Sequence, residues 1–170
     1  MATNELERFL GTWEQETQST LKLLRALPSA KYDFRPDATG RSLGELAWHL
    51  AEGDGYMSYG IEKGEFNMND RPPHIERPKT VEGLAPAFEV VHRDAAERIK
   101  KLKVDDLDRT LPFFGMTLPI RDILWTMILA HAIHHRGQLG LMCRLAGGQT
   151  PGLYGPNREE MAAMMQQASS

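Results

Sequence analysis

The sequence predicts an all-α protein, a four-helix bundle followed by a short C-terminal helix. Three observations carry this. Four long segments repeat apolar residues at the helical period. The stretches between them are rich in Pro and Gly, which stop helices. No long run alternates apolar and polar residues as a half-buried strand would.

The first helix is expected from about Asn4 to Leu27. Asn4 followed by Glu7 is a capping pattern, and Leu6, Phe9, Leu10, Trp13, Thr17, Leu21 and Leu24 share one face. Pro28 ends it. A loop, Ser29–Arg41, leads to a second capping box, Ser42-Leu-Gly-Glu45, and a helix to about Ile61. Gly44, Gly53, Gly55 and Gly60 each weaken that helix by up to ~1 kcal/mol relative to Ala. Such a cost points to close packing against the helix or to space kept beside it. The linker Glu62–Lys79 holds Arg71-Pro-Pro-His-Ile-Glu-Arg-Pro78, and a third helix follows from about Thr80 to about Leu102. Its stripe is Leu84, Phe88, Val91, Ala95, Ile99 and Leu102. Gly115, inside the short apolar run Thr110–Leu118, suggests a tight turn and a small hairpin. Pro119 suits the first turn of the fourth helix, which should stop at Gly147-Gly148. A short helix from about Arg158 completes the tail Gln149–Ser170.

The 170 residues are expected to form one domain, 1–170, large enough to bury about two-thirds of the unfolded surface. An apolar fraction of 41%, a charged fraction of 25% and a net charge of −3 suit an ordinary globular protein. They exclude the basic footprint of a nucleic-acid binder. No apolar run approaches the ~20 residues of a membrane span. The opening Met1–Arg8 is polar and has no apolar core of a secretory signal. Cys143 is the single cysteine, so no intramolecular disulfide framework exists. A cytoplasmic protein with no nucleic-acid or membrane partner is the expectation.

The chemistry concentrates in His131-Ala-Ile-His134-His135-Arg136-Gly137-Gln138. Residues four apart on a helix are stacked neighbours, so His131 and His135 can grip one metal ion. On a wheel of about 100° per residue, Ile120, Leu124, Met127, Ile128, His135, Gln138, Met142 and Leu145 fall within roughly 60° of His131. The pair should therefore face the interior, although the wheel also permits a His131–His134 pair. A third ligand is expected from another helix. His49 is the candidate, as the only histidine inside the second helix; the alternative is a half-buried histidine bonded to a neighbour. Gly53, one turn on, would leave room for water or a substrate. Gln138, Glu52 and Glu45 are candidates to hold the histidines from behind. Glu89-Val-Val-His92 has the Glu-x-x-His form of di-iron bundles, but it stands alone, and His92 reads as a surface histidine. His74 reads as exposed, Cys143 and the three tryptophans as core or interface. Arg136 faces away from the metal and is free to bridge to another helix or subunit.

Four blocks together carry a family resemblance. They are Tyr32-Asp-Phe-Arg-Pro36, Ser42-Leu-Gly-Glu-Leu-Ala-Trp-His49-Leu, His131-Ala-Ile-His-His135-Arg-Gly-Gln-Leu139 and Pro151-Gly-Leu-Tyr-Gly-Pro156. In this order the chain resembles the DinB/YfiT-like metalloenzyme family. The resemblance implies a four-helix bundle with a long crossover connection and a metal held by His49, His131 and His135. It implies one divalent ion, nickel or zinc first, with iron or manganese as alternatives, and a homodimer. Some relatives are transferases and isomerases that use low-molecular-weight thiols such as bacillithiol or mycothiol.

Three neutral imidazoles leave the ion's charge uncompensated and a coordination position open, as catalytic sites do. Such an ion lowers the pKa of bound water toward about 7, or keeps a thiol ionised. The expectation is therefore a metal-dependent transferase or isomerase acting on a small molecule with a low-molecular-weight thiol. The alternatives are a hydrolase on the same triad and a non-catalytic, dimeric metal-binding module. No catalytic base is evident in the sequence.

Overall fold

The computed structural model describes residues 4–67 and 69–168. Met1–Thr3 of the polar opening, Met68 of the linker and Ser169–Ser170 of the tail lie outside the described residues. Helix α1, Glu5–Arg25, opens on the expected capping box: Glu7 N donates to Asn4 Oδ1 at 2.9 Å and Asn4 N to Glu7 Oε2 at 3.2 Å. It ends at Ala26, slightly before the expected Leu27. Helix α2, Leu43–Lys63, opens on Ser42 and Glu45 and closes on Gly64, whose φ of +80° is the left-handed cap glycine supplies cheaply. Helix α3, Val81–Lys100, is capped by Thr80.

The glycines of α2 show why the helix carries them. A Cβ on Gly44 would run into the Tyr32 ring, and one on Gly60 into the Phe66 ring. At Gly55 it would sit 2.8 Å from Ile75 Cδ1. The loops on both sides of α2 are thus folded directly onto its backbone. Trp48 adds a hydrogen bond from its indole Nε1 to Ile75 O at 3.1 Å.

After a 3₁₀ turn, Val104–Asp108, the chain makes the small hairpin: β1, Thr110–Phe113, and β2, Met116–Pro119, with Phe113 opposite Met116. Pro119 ends β2 and caps the next helix rather than entering its first turn, because its φ of −66° and ψ of 148° are extended. The fourth rod of the bundle then runs without a break through α4 (Ile120–Asp122), a π-helical stretch (Ile123–Ala130) and α5 (His131–Leu145). Gly147, at φ +84°, terminates it. Helix α6, Arg158–Ala168, lies beyond.

Helix α3 packs on both α1 and α2, and the fourth rod packs on the same two from the other side. The connections between α1 and α2, and between α3 and the fourth rod, therefore cross the bundle. The core divides into two apolar halves. One gathers Leu21–Leu27, Leu43–Ala51, Val81–Val91 and Leu139–Ala146; the other gathers Leu6–Trp13, Ile61, Ala95–Ile99 and Ile120–Leu129. Between them every helix turns polar at the same level. The buried polar residues Thr17, Thr20, Asp54, Ser58, His92 and Arg136 lie there.

Two expectations about this level are corrected. His92 is buried, not at the surface. The margin of α3's stripe is covered by α1, which brings Trp13 against the imidazole at a ring separation of 4.6 Å. The wheel also fails for the fourth rod. Gln138 and Leu145 are exposed, while Arg136, Leu139, Gly140 and Cys143 face the core. The reason is the π stretch, where His131 N reaches back to Thr126 O, five residues away. Its wider turn breaks the 100° step, so α5 starts out of phase with α4. His131 and His135 are consequently half-buried at the edge of the bundle instead of pointing into its centre.

Arg136 bridges, as expected, to another helix. Its guanidinium donates to Glu16 O at 2.7 Å and is paired with the Glu16 carboxylate and the Tyr154 hydroxyl. Arg144 binds Glu159 at 2.8 Å, and Lys22 Nζ donates to Gly152 O at 2.7 Å, so the tail is held against the bundle along its length.

Candidate metal centre

His49 from α2 and His131 and His135 from α5 converge at the polar level. Their ring centroids are 5.1, 4.7 and 4.4 Å apart. One nitrogen from each lies within 4.8 Å of the other two, so the three could hold a metal ion. Gly53 lies beside the cluster: a Cβ there would sit 3.6 Å from His131 Nδ1, an ordinary contact distance, so this glycine keeps space free without being required for the histidines to meet.

Two of the rings are oriented from behind. His49 Nδ1 donates to Glu52 Oε2 at 3.2 Å, and His135 Nδ1 to Gln138 Oε1 at 2.7 Å. A carboxylate or amide oxygen only accepts, so each bond fixes the proton on Nδ1 and leaves Nε2 with its lone pair free. Burial, followed by the neighbouring histidines and the charge of Arg41, pushes the His131 pKa down to about 4. Burial also lowers that of His135. Imidazoles held neutral in this way are the form that binds metals. The donor set fits a divalent transition ion, for which imidazole is a suitable ligand.

His134 is exposed and stays outside the cluster, with its Nε2 3.2 Å from Gln138 Nε2. Glu45 is also elsewhere. Among the described residues it bonds Ser42 N and Arg35, and these contacts hold its pKa down to about 2. The capping role that positions it at the start of α2 turns it away from the histidines. His74 is exposed, as expected, with φ at +62°.

On the open side of the cluster lies a cavity of about 450 Å³. His49, Glu52, Gly53 and His131 form its inner wall; Tyr56, Phe66, Phe113, Phe114 and Met127 line much of the rest. The volume is in the range of small-molecule sites. The sequence did not announce this cavity, because its far wall comes from the linker and the hairpin, which only the fold brings to α2.

The DinB family model matches residues 1–169. The chain belongs to the DinB family. A relative within reach of this DinB chain is YrdA of Bacillus subtilis (strain 168), an uncharacterized protein, 30% identical over 163 residues and 92% of each chain. Among solved structures, a DinB-like protein from Bacillus cereus ATCC 10987 superimposes with a TM-score of 0.71 at 28% identity, covering 86% of this chain and 95% of its own. The DinB-like protein YjoA from Bacillus subtilis gives 0.70 at 20% identity, covering 89% and 99%, and so supports the DinB fold alone. No helix among the described residues is long and apolar enough to cross a membrane.

Proposed function

We propose that this DinB protein is a metal-dependent enzyme, a transferase or isomerase that activates a low-molecular-weight thiol at His49, His131 and His135. The observation that carries the reading is the open side of the histidine cluster, which faces a cavity of substrate size. A nickel or zinc ion held by three uncharged ligands would act as a Lewis acid that favours the ionised form of a thiol. The chain's own residues do the rest. Glu52 and Gln138 fix the rings that present Nε2. Glu52 also lines the cavity, where it is placed to take up the proton a thiol gives up. Arg41 adds positive charge near His131 and His135, which favours the thiolate at that centre over the neutral thiol.

A hydrolase on the same triad is the second reading, favoured by that same carboxylate beside the cavity, a suitable base for water. Turnover with a thiol panel and not with an ester and amide panel supports the first; the reverse supports the second. Protein purified without a metal-affinity tag should carry one metal ion per chain by elemental analysis, and His49→Ala should lose it. Metal without any turnover would make the protein a non-catalytic binding module, and absence of metal would remove the enzyme reading altogether.

The single buried thiol, Cys143, is consistent with a reducing cytoplasm as the place of action. The exposed row Ile133, Leu141 and Leu145 on α5, with open space at Gly137 between them, supports a homodimer. Light scattering of the purified protein tests it.

A further inference from the structure

The hairpin turn at the mouth of the cavity has the wrong residue for its shape. Phe114 and Gly115 both have positive φ, +46° and +84°, in a two-residue turn between β1 and β2. Such turns take Asn-Gly or Gly-Gly, because a bulky side chain in the left-handed region is strained. Here a phenylalanine occupies the first position. The residue is 59% exposed, so burial does not compensate for the strain. It stands edge-on to Phe113 at 4.8 Å, and Phe113 stands edge-on to Phe66 at 5.0 Å. Phe66 in turn rests on the bare backbone of Gly60. The three rings, in contact with one another, line the same cavity as His49 and His131.

The charges of the lining are one-sided. Glu52, Glu65 and Asp70 border the cavity, and no lysine or arginine is among the described residues that line it. Asp70 is paired with Lys63 at 2.7 Å, whereas Glu65 is exposed at the rim. An anion entering from this side would meet like charge, and an aromatic group would meet ring faces and edges.

We propose that this cavity binds an apolar, ring-bearing organic substrate that has no anionic group, and that Phe114 is a specificity-determining residue for it. A strained, exposed aromatic ring retained at a pocket mouth is explained by contact with a ligand. The inference deepens the enzyme reading: it rests on the histidine cluster being the reacting centre and supplies the class of the second substrate, the thiol's acceptor.

The test is a fluorescence titration with the neutral probe N-phenylnaphthylamine and its anionic counterpart anilinonaphthalenesulfonate. Both are added to the full chain, untreated and after chelation, with metal content measured on the same samples. Saturable binding of the neutral probe, weaker binding of the sulfonate, and a loss on the order of tenfold in Phe114→Gly and Phe114→Asn are expected. Both variants relieve the strained φ, so their melting temperature should stay level or rise while binding falls. A role in folding alone would lower the melting temperature and leave the probe's affinity in place. Unchanged affinity in the variants, or equal affinity for the sulfonate, overturns the proposal. Probe binding by protein that holds no metal leaves the pocket standing and removes the enzyme reading; metal without probe binding does the opposite.

Discussion

At the scale of single residues, the polar level of this bundle treats its histidines in opposite ways. His131 and His135 are kept neutral, half-buried beside one another. His92 is more deeply buried, and burial alone would strip its proton. The hydrogen bond and charge of Asp54 at 2.8 Å, joined by Glu14 at 3.4 Å, outweigh that, and its pKa is raised. A histidine that holds its proton more tightly when folded stabilises the fold fully below its unfolded pKa of about 6.5, and that gain is lost as pH rises through the higher folded value. Urea midpoints of the protein and of His92→Gln should therefore differ most below about pH 6 and converge as pH rises through the higher folded value. A constant difference across that range would show that the imidazole acts through shape alone. The sequence reads His92 as a surface residue because a wheel knows only its own helix. Its signal was present nonetheless: Thr17, Asp54 and His92 all interrupt apolar faces at mid-helix.

At the scale of elements, α2 and the fourth rod are the parts built for the site. Helix α2 accepts Gly44, Gly55 and Gly60 so that Tyr32, Ile75 and Phe66 can lie against its backbone. Gly44→Ala should gain up to ~1 kcal/mol of helix propensity but drive Tyr32 off its seat, a clash that costs about 1–3 kcal/mol. A net fall in the urea midpoint is expected, with no change in metal content, since Tyr32 does not touch the histidines. The π stretch Ile123–Ala130 does the complementary task. It resets the phase of the rod so that α4 and its successor bury Ile120, Ile123, Leu124 and Ile128, while α5 turns its histidines to the edge and seats Arg136, Leu139 and Cys143 in the core. A helix of uniform pitch could not present both faces correctly, which accords with the frequency of π turns near functional sites.

At the scale of the molecule, the histidine cluster joins α2 to the fourth rod, and each of these carries residues of both apolar halves. An ion bound there ties α2 to α5 and stabilises the fold by mass action, about 2.7 kcal/mol at a hundredfold excess over Kd. For a chain of this size each kcal/mol moves Tm by about 2–4 °C. Chelation should thus lower the melting temperature of the wild type by about 5–10 °C and leave His49→Ala unmoved. Differential scanning fluorimetry measures both, and an equal shift in the two would place the metal elsewhere.

What the sequence by itself determined is local. The capping boxes at Asn4 and Ser42, the glycine stop at Gly147, the turn at Gly115 and the spacing of His131 and His135 are set by bonds between residues a few positions apart, and they form as expected. The three histidines were also nameable, because their residue types and the blocks around them are written in the chain. What only the tertiary structure decided is where those faces point and what stands opposite them. It buried His92 under α1, turned Glu45 toward Arg35, moved Gln138 to the surface, and set Phe66, Phe113 and Phe114 around the same cavity as His49 and His131. Each of these depends on a neighbour distant in sequence, or on a change of helical pitch that no periodicity of 3.6 can carry.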